Sequence, residues 1–180
     1  WLSSNLQTSD GKPFGLSSLS VRRAGLTIAI AGVVDPSLVK HEQWNAIEPV
    51  QGVLKAFADS KADVRVVLAY LEEDALRKLA ESLPEVDYII GGPTGQAISP
   101  TKVGPVTIMS STNKGKFLAS LKLKSEGERF QQLAAEIAEV KSGFAEDPTQ
   151  LANLKAYYAK LAKEDFTVQE AGLVADMGDV

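Results

Sequence analysis

Apolar positions along this chain follow two rhythms that alternate: continuous β-branched runs, and stripes recurring every three to four residues. Leu26 to Val34 is apolar on both faces, as expected of a strand buried inside a layered sheet, and Asp35-Pro36 ends it. Asn45-Ala46-Ile47-Glu48 has capping-box spacing, Pro49 follows in the first turn, and Ile47, Val50, Leu54, Phe57 and Ala58 form one stripe. That pattern predicts a helix from about Ala46 to Asp59. A second strand is predicted at Val64 to Ala69, a short helix from Glu73 to Leu83 stopped by Pro84, and a third strand at Val86 to Ile90 running into Gly91-Gly92. Strand, helix, strand, helix, strand is the order of a largely parallel sheet with right-handed crossovers. Val106 to Met109 and Phe117 to Leu123 alternate and are expected to pair antiparallel across the Ser110 to Gly115 turn, while Trp1 to Leu6 and Leu19 to Val21 add edge strands.

Beyond this core the rhythm becomes helical. Ser125-Glu126-Gly127-Glu128 is a second capping box, Phe130, Leu133, Ala134, Ile137 and Ala138 make a stripe, and Gly143 is placed to end the helix. Asp147-Pro148 with Gln150 opens another, carrying Leu151, Leu154, Tyr158 and Leu161. The pattern predicts an α/β core over residues 1–124, a helical hairpin over 125–165 and an extension or linker over 166–180. The fold class is thus α/β, a layered mostly parallel sheet with flanking helices plus a C-terminal helical hairpin.

Charge supports a change near Ser125. Residues 1–124 carry 14 basic and 12 acidic groups, whereas residues 125–180 carry 5 basic and 11 acidic ones. The net charge of −4 over 180 residues argues against phosphate-backbone binding, so no nucleic-acid partner is expected. No membrane span is expected either, because no window approaches the roughly 18 uninterrupted apolar residues it needs; the first residues show no basic-then-apolar leader. With no Cys and a single His, His41, thiolate centres and multi-histidine metal sites are excluded within these residues.

In open α/β sheets ligands bind beyond the carboxyl ends of the strands, which directs attention to Asp35-Pro36, Tyr70-Leu71-Glu72 and Gly91-Gly92-Pro93-Thr94-Gly95. Asp35, Tyr70, Glu72, Gly92, Pro93 and Thr94 are the candidates to line a ligand pocket there. Each has a plainer reading. Asp35-Pro36 is also a turn signal, and the glycine-rich segment lacks a Lys or Arg, with Pro93 having no N–H to offer an anion. Glu72, Glu73 and Asp74 suit the start of a helix. His41 has no identifiable partner for a proton shuttle and reads as a surface or helix-entry residue, Lys114 and Lys116 read as solubilising turn lysines, and Tyr157-Tyr158 reads as hairpin packing.

Residues 1–124 resemble the later part of the catalytic domain of metallophosphoesterases of the 5′-nucleotidase type, in the calcineurin-like superfamily. The resemblance rests on Leu2 to Leu6, Gly25 to Gly32, Val66 to Tyr70, Asp87 to Gly95, Val103 to Val106 and Asn113 to Phe117, in that order. Where the family ends one strand in a Ser-His or similar pair and another in Gly-Gly-His-Thr-His, this chain has Ala69-Tyr70 and Gly91-Gly92-Pro93-Thr94-Gly95. The family's Asp-x-His, Gly-Asp and Gly-Asn-His motifs have no counterpart in these residues. A two-metal phosphoesterase needs imidazoles and carboxylates converging on ions roughly 3.5 to 4 Å apart. The resemblance therefore implies a metallophosphatase-like fold with no catalytic residue, metal ligand or cofactor. That is the expectation for a scaffold or interaction domain, whose partner would be another protein, a neighbouring domain or a second copy docking through the helical hairpin. Two alternatives stand beside it: a phosphoesterase or nucleotidase completed by residues outside this chain, and, by a weaker architectural resemblance, the non-haem part of an extracytoplasmic multihaem electron-transfer protein. The family resemblance also implies an extracytoplasmic, periplasmic setting.

Overall fold

The structure, a computed structural model, describes residues 1–111, 115–127, 129–141 and 143–162. It divides into two compact units, Trp1–Val140 and Lys141–Val180. In chain order the first unit runs β1 (Leu6–Thr8), β2 (Ser18–Arg23), β3 (Leu26–Val34), β4 (Trp44–Ala46), α1 (Pro49–Phe57), β5 (Val64–Tyr70) and α2 (Glu73–Ser82). It continues with β6 (Tyr88–Gly92), β7 (Ile98–Val103), β8 (Val106–Ser110), β9 (Phe117–Glu126) and β10 (Arg129–Glu139), and the second unit contributes α3 (Pro148–Leu161).

Six strands form the main sheet in the order β2-β3-β5-β6-β8-β7. β3, β5, β6 and β8 run parallel, and β2 and β7 close the two edges antiparallel. The mixed α/β fold expected from the sequence is present, with β3 at its expected bounds and α2 ending one residue early. Parity assigns the two faces of the sheet. Ala29, Ala31 and Val33 of β3, Val67 and Ala69 of β5 and Ile89 of β6 face α1 and α2, where Val53, Phe57, Leu76, Leu79 and Ala80 complete a buried core. On the other face Leu26, Val64, Val66 and Tyr88 pack against Leu121, Leu123 and Phe130 of the β9–β10 hairpin.

That hairpin corrects the expectation for residues 125–143. No helix forms there: β10 pairs antiparallel with β9, and the compositional step at Ser125 falls inside β9. The predicted helical hairpin is accordingly one helix, α3. Two local features explain the override. Gly127 turns the chain at φ +66°, a conformation that favours glycine, and a bulge between Gln132 and Ala134 shifts the strand's phase so that its alternation is not visible in the sequence. Burial of Phe130 against Tyr88, with ring centroids 6.2 Å apart, then outweighs helix propensity.

Two smaller expectations are also revised. β8 pairs with β6 and, through the tight turn after Val103, with β7, so it does not pair with β9. Its five residues are all buried, as befits an interior strand. Asn45 and Ala46 pair with Gln7 and Leu6 as part of β4, so the first capping box does not form; α1 begins at Pro49, with Glu48 making no side-chain cap. In the second unit, the Asp147 carboxylate accepts from Thr149 N and Gln150 N, as the sequence predicts for the start of α3. Lys114 and the extension over 166–180 lie outside the described residues.

Candidate functional site

The hairpin covers only the amino-terminal half of its sheet face. On the central strand β5, Val64 and Val66 are buried beneath it, whereas Leu68 and Tyr70, pointing the same way two and four residues on, are 44% and 55% exposed. Tyr70, Leu68, Ile90 and Gly92 thereby become the floor of an open cleft of about 960 Å³ at the carboxyl ends of β3, β5 and β6.

A wall is built by the chain before α1. Asn5 is buried and clamps this segment to the sheet: its Nδ2 donates to Val34 O (2.8 Å) and Ile47 O (3.0 Å), and its Oδ1 accepts from Val34 N (3.0 Å). Phe14 and Trp44 meet edge-to-face with ring centroids 4.5 Å apart and present an aromatic surface to the cleft. The turn from His41 to Trp44 closes through Trp44 N donating to His41 O at 3.2 Å, which sets Lys40 and His41 at the rim. Gln43 N donates to His41 Nδ1 at 3.1 Å, so in the neutral ring Nε2 carries the proton and acts as a donor.

Of the six residues singled out in the sequence, the structure brings together Tyr70, Gly92 and Pro93. The other three are directed elsewhere. Asp35 caps its own turn, its carboxylate accepting from Ser37 N at 2.8 Å, and it lines a separate cavity of about 440 Å³ with Glu48 and Lys78. Glu72 sits at the start of α2 without a side-chain cap bond. Thr94 donates to Gln96 O at 2.8 Å and lies 2.9 Å from Ser110 Oγ, which is fully buried and also hydrogen-bonds Gly91 O. Gly91 has a packing reason to be glycine: a Cβ there would come within 2.5 Å of the Leu76 side chain and 2.9 Å of Ala69 O. Glu73 is taken up by Arg77 one turn on, at 2.7 Å. Sequence reasoning passed over Phe14, Lys40, Trp44 and Leu68, and a signal existed for Leu68: a central strand apolar on both faces needs cover on both.

The donor set decides what the cleft can hold. The lining does not fit the pair of divalent ions that a two-metal phosphoesterase holds: its side chains offer a phenol, one imidazole, the Lys40 ammonium and the hydroxyls of Ser3 and Ser111, with no carboxylate, and Gly92-Pro93 contributes no side-chain donor. Among the described residues no three of His, Cys, Asp and Glu lie close enough to share an ion.

No family model matches the chain, and no curated protein matches it. Solved structures do. The sulfate thiohydrolase SoxB of Thermus thermophilus superposes with a TM-score of 0.70 at 21% identity, over 92% of this chain and 33% of that one. The 5′-nucleotidase precursor of Thermus thermophilus gives 0.65 at 17%, over 89% and 38%, and the Haemophilus influenzae NAD nucleotidase 0.57 at 12%, over 97% and 39%. The chain therefore has the fold that these three structures share over the matched part of their length. The chain spans between a third and two fifths of these structures.

Proposed function

We propose that this chain is a non-catalytic metallophosphatase-like domain, a fold retained as a scaffold or interaction module. The observation that carries the reading is the makeup of the strand ends at the cleft: Tyr70 is part of a floor that carries no carboxylate, Pro93 lines the cleft beside it, and Asp35, the carboxylate nearest in sequence to the end of β3, caps its own turn. Without converging imidazoles and carboxylates, neither water activation nor clamping of a phosphoryl group has the groups it requires. The interaction expected to run through a helical hairpin loses its basis with that hairpin, and the open sheet face takes its place as the surface to test.

A second reading is a phosphoesterase completed by residues outside this chain, and it draws on the fraction of each similar structure that the chain spans. The scaffold reading is tested on the chain itself. The chain is stripped with chelator and titrated with manganese and zinc by calorimetry while hydrolysis of bis(p-nitrophenyl) phosphate is followed. The scaffold reading expects no stoichiometric tight binding and no turnover; tight binding with turnover that chelator abolishes would overturn it.

A further inference from the structure

We infer that the cleft is a binding site for a small planar aromatic molecule carrying one negative charge, an aromatic carboxylate or sulfonate. Three observations converge on that class. The volume of about 960 Å³ lies within the range of small-molecule sites, and its place beyond the carboxyl ends of parallel strands is where open α/β sheets take ligands. Its surfaces are suited to a flat ring: Leu68 and Tyr70 form an exposed floor, and Trp44, held edge-on by Phe14, forms a wall.

Charge at the rim fixes the sign. The chain carries a net charge of −4, yet no Asp or Glu lines the cleft, while Lys40 does. Lys40 is exposed and forms no ion pair among the described residues, and the acidic side chains nearest it in sequence, Asp35 and Glu42, do not line the cleft. The Lys40 ammonium matches one negative charge, and the His41 ring, whose Nδ1 accepts from Gln43 N, lines the same rim. Pro93, at the end of the glycine-rich segment, has no N–H to offer a phosphate. Binding there does not depend on whether the chain hydrolyses phosphoesters.

The test uses two fluorescent probes of nearly equal shape, 8-anilino-1-naphthalenesulfonate and its uncharged analogue N-phenyl-1-naphthylamine, titrated into the 180-residue chain without metal. Saturable one-site binding of both is expected, tighter for the sulfonate and weakened by salt for the sulfonate alone. Lys40→Glu is exposed and leaves folding intact, as checked by an unchanged thermal transition; it should weaken the sulfonate about fivefold and leave the neutral probe unchanged, the size expected for a surface charge pair. Trp44→Leu should weaken both. Multi-site or unsaturable binding, or a Lys40→Glu variant that treats the two probes alike, would overturn the assignment.

Discussion

Val66 and Leu68 sit two residues apart on one strand, face the same side of one sheet, and have opposite fates. Val66 is 9% exposed and Leu68 44%. What separates them is the reach of the β9–β10 hairpin, which covers the face over Leu26, Val64, Val66 and Tyr88 and leaves the carboxyl ends of the strands open. The helix face shows no such division: Val67 and Ala69 alternate with these residues and are both buried under α1 and α2. A parallel strand apolar on both sides normally has both sides covered. Half of one side of β5 is instead left as cleft floor, so the apolar pattern there is a feature of the site as well as of the core.

The sharpest way to break the comparison is to place the same charge at both positions. Val66→Asp buries a carboxylate with no partner in an apolar cluster and should cost about 4 kcal/mol. Leu68→Asp meets solvent and should cost about 0.5 kcal/mol, the scale of ordinary surface changes. Urea unfolding of the two variants measures the difference; equal losses would mean that the carboxyl-terminal half of the face is as closed as the amino-terminal half.

This division also marks how far the sequence could be read. β3, β5, α2 and β6 were legible because each carries its own local signal, an uninterrupted apolar run or a periodic stripe between clear stops. The hairpin was not, because its signal is relational. Phe130, Leu133, Ala134, Ile137 and Ala138 satisfy a helical period, and only the bulge after Gln132 together with packing on Tyr88 makes a strand of them. The candidate site was legible to the same degree. Tyr70, Gly92 and Pro93 were reachable from the rule about strand ends, whereas Phe14, Lys40 and Trp44 come from a segment whose position depends on the hydrogen bonds of Asn5.

Asn5 therefore offers a second test, directed at the cleft wall in place of its floor. Asn5→Ala leaves Val34 N, Val34 O and Ile47 O without their side-chain partners in a buried setting and should cost about 2 kcal/mol. Because the loss falls at the junction that carries Trp44, probe binding at the cleft should weaken more than the loss of stability alone accounts for. Leu68→Asp sets the contrast, since it should alter probe binding with little change in unfolding. A variant at Asn5 that is destabilised yet binds the probes normally would show that the wall holds its position without the clamp.

A smaller loss than that at Asn5 is expected under the hairpin. Tyr88 donates to Gln132 Oε1 at 2.9 Å, linking the sheet to β10 beneath the covered half of the face. Tyr88→Phe keeps the ring packed against Phe130 and removes only that bond, so about 1 kcal/mol should be lost at neutral pH. Alkaline pH gives an independent signature. Burial, with a smaller push from the neighbouring Asp87 carboxylate, raises the Tyr88 hydroxyl from 10.0 to about 12. A folded-state value above the unfolded one means that the unfolded chain releases this proton first, so Tyr88's stabilising share is complete below pH 10 and is lost as pH climbs toward about 12. The wild-type chain should lose stability over that window, and Tyr88→Phe should flatten this part of the curve. The two curves should converge as pH rises, and parallel decline would place the alkaline sensitivity in other groups and leave the hydroxyl open to water.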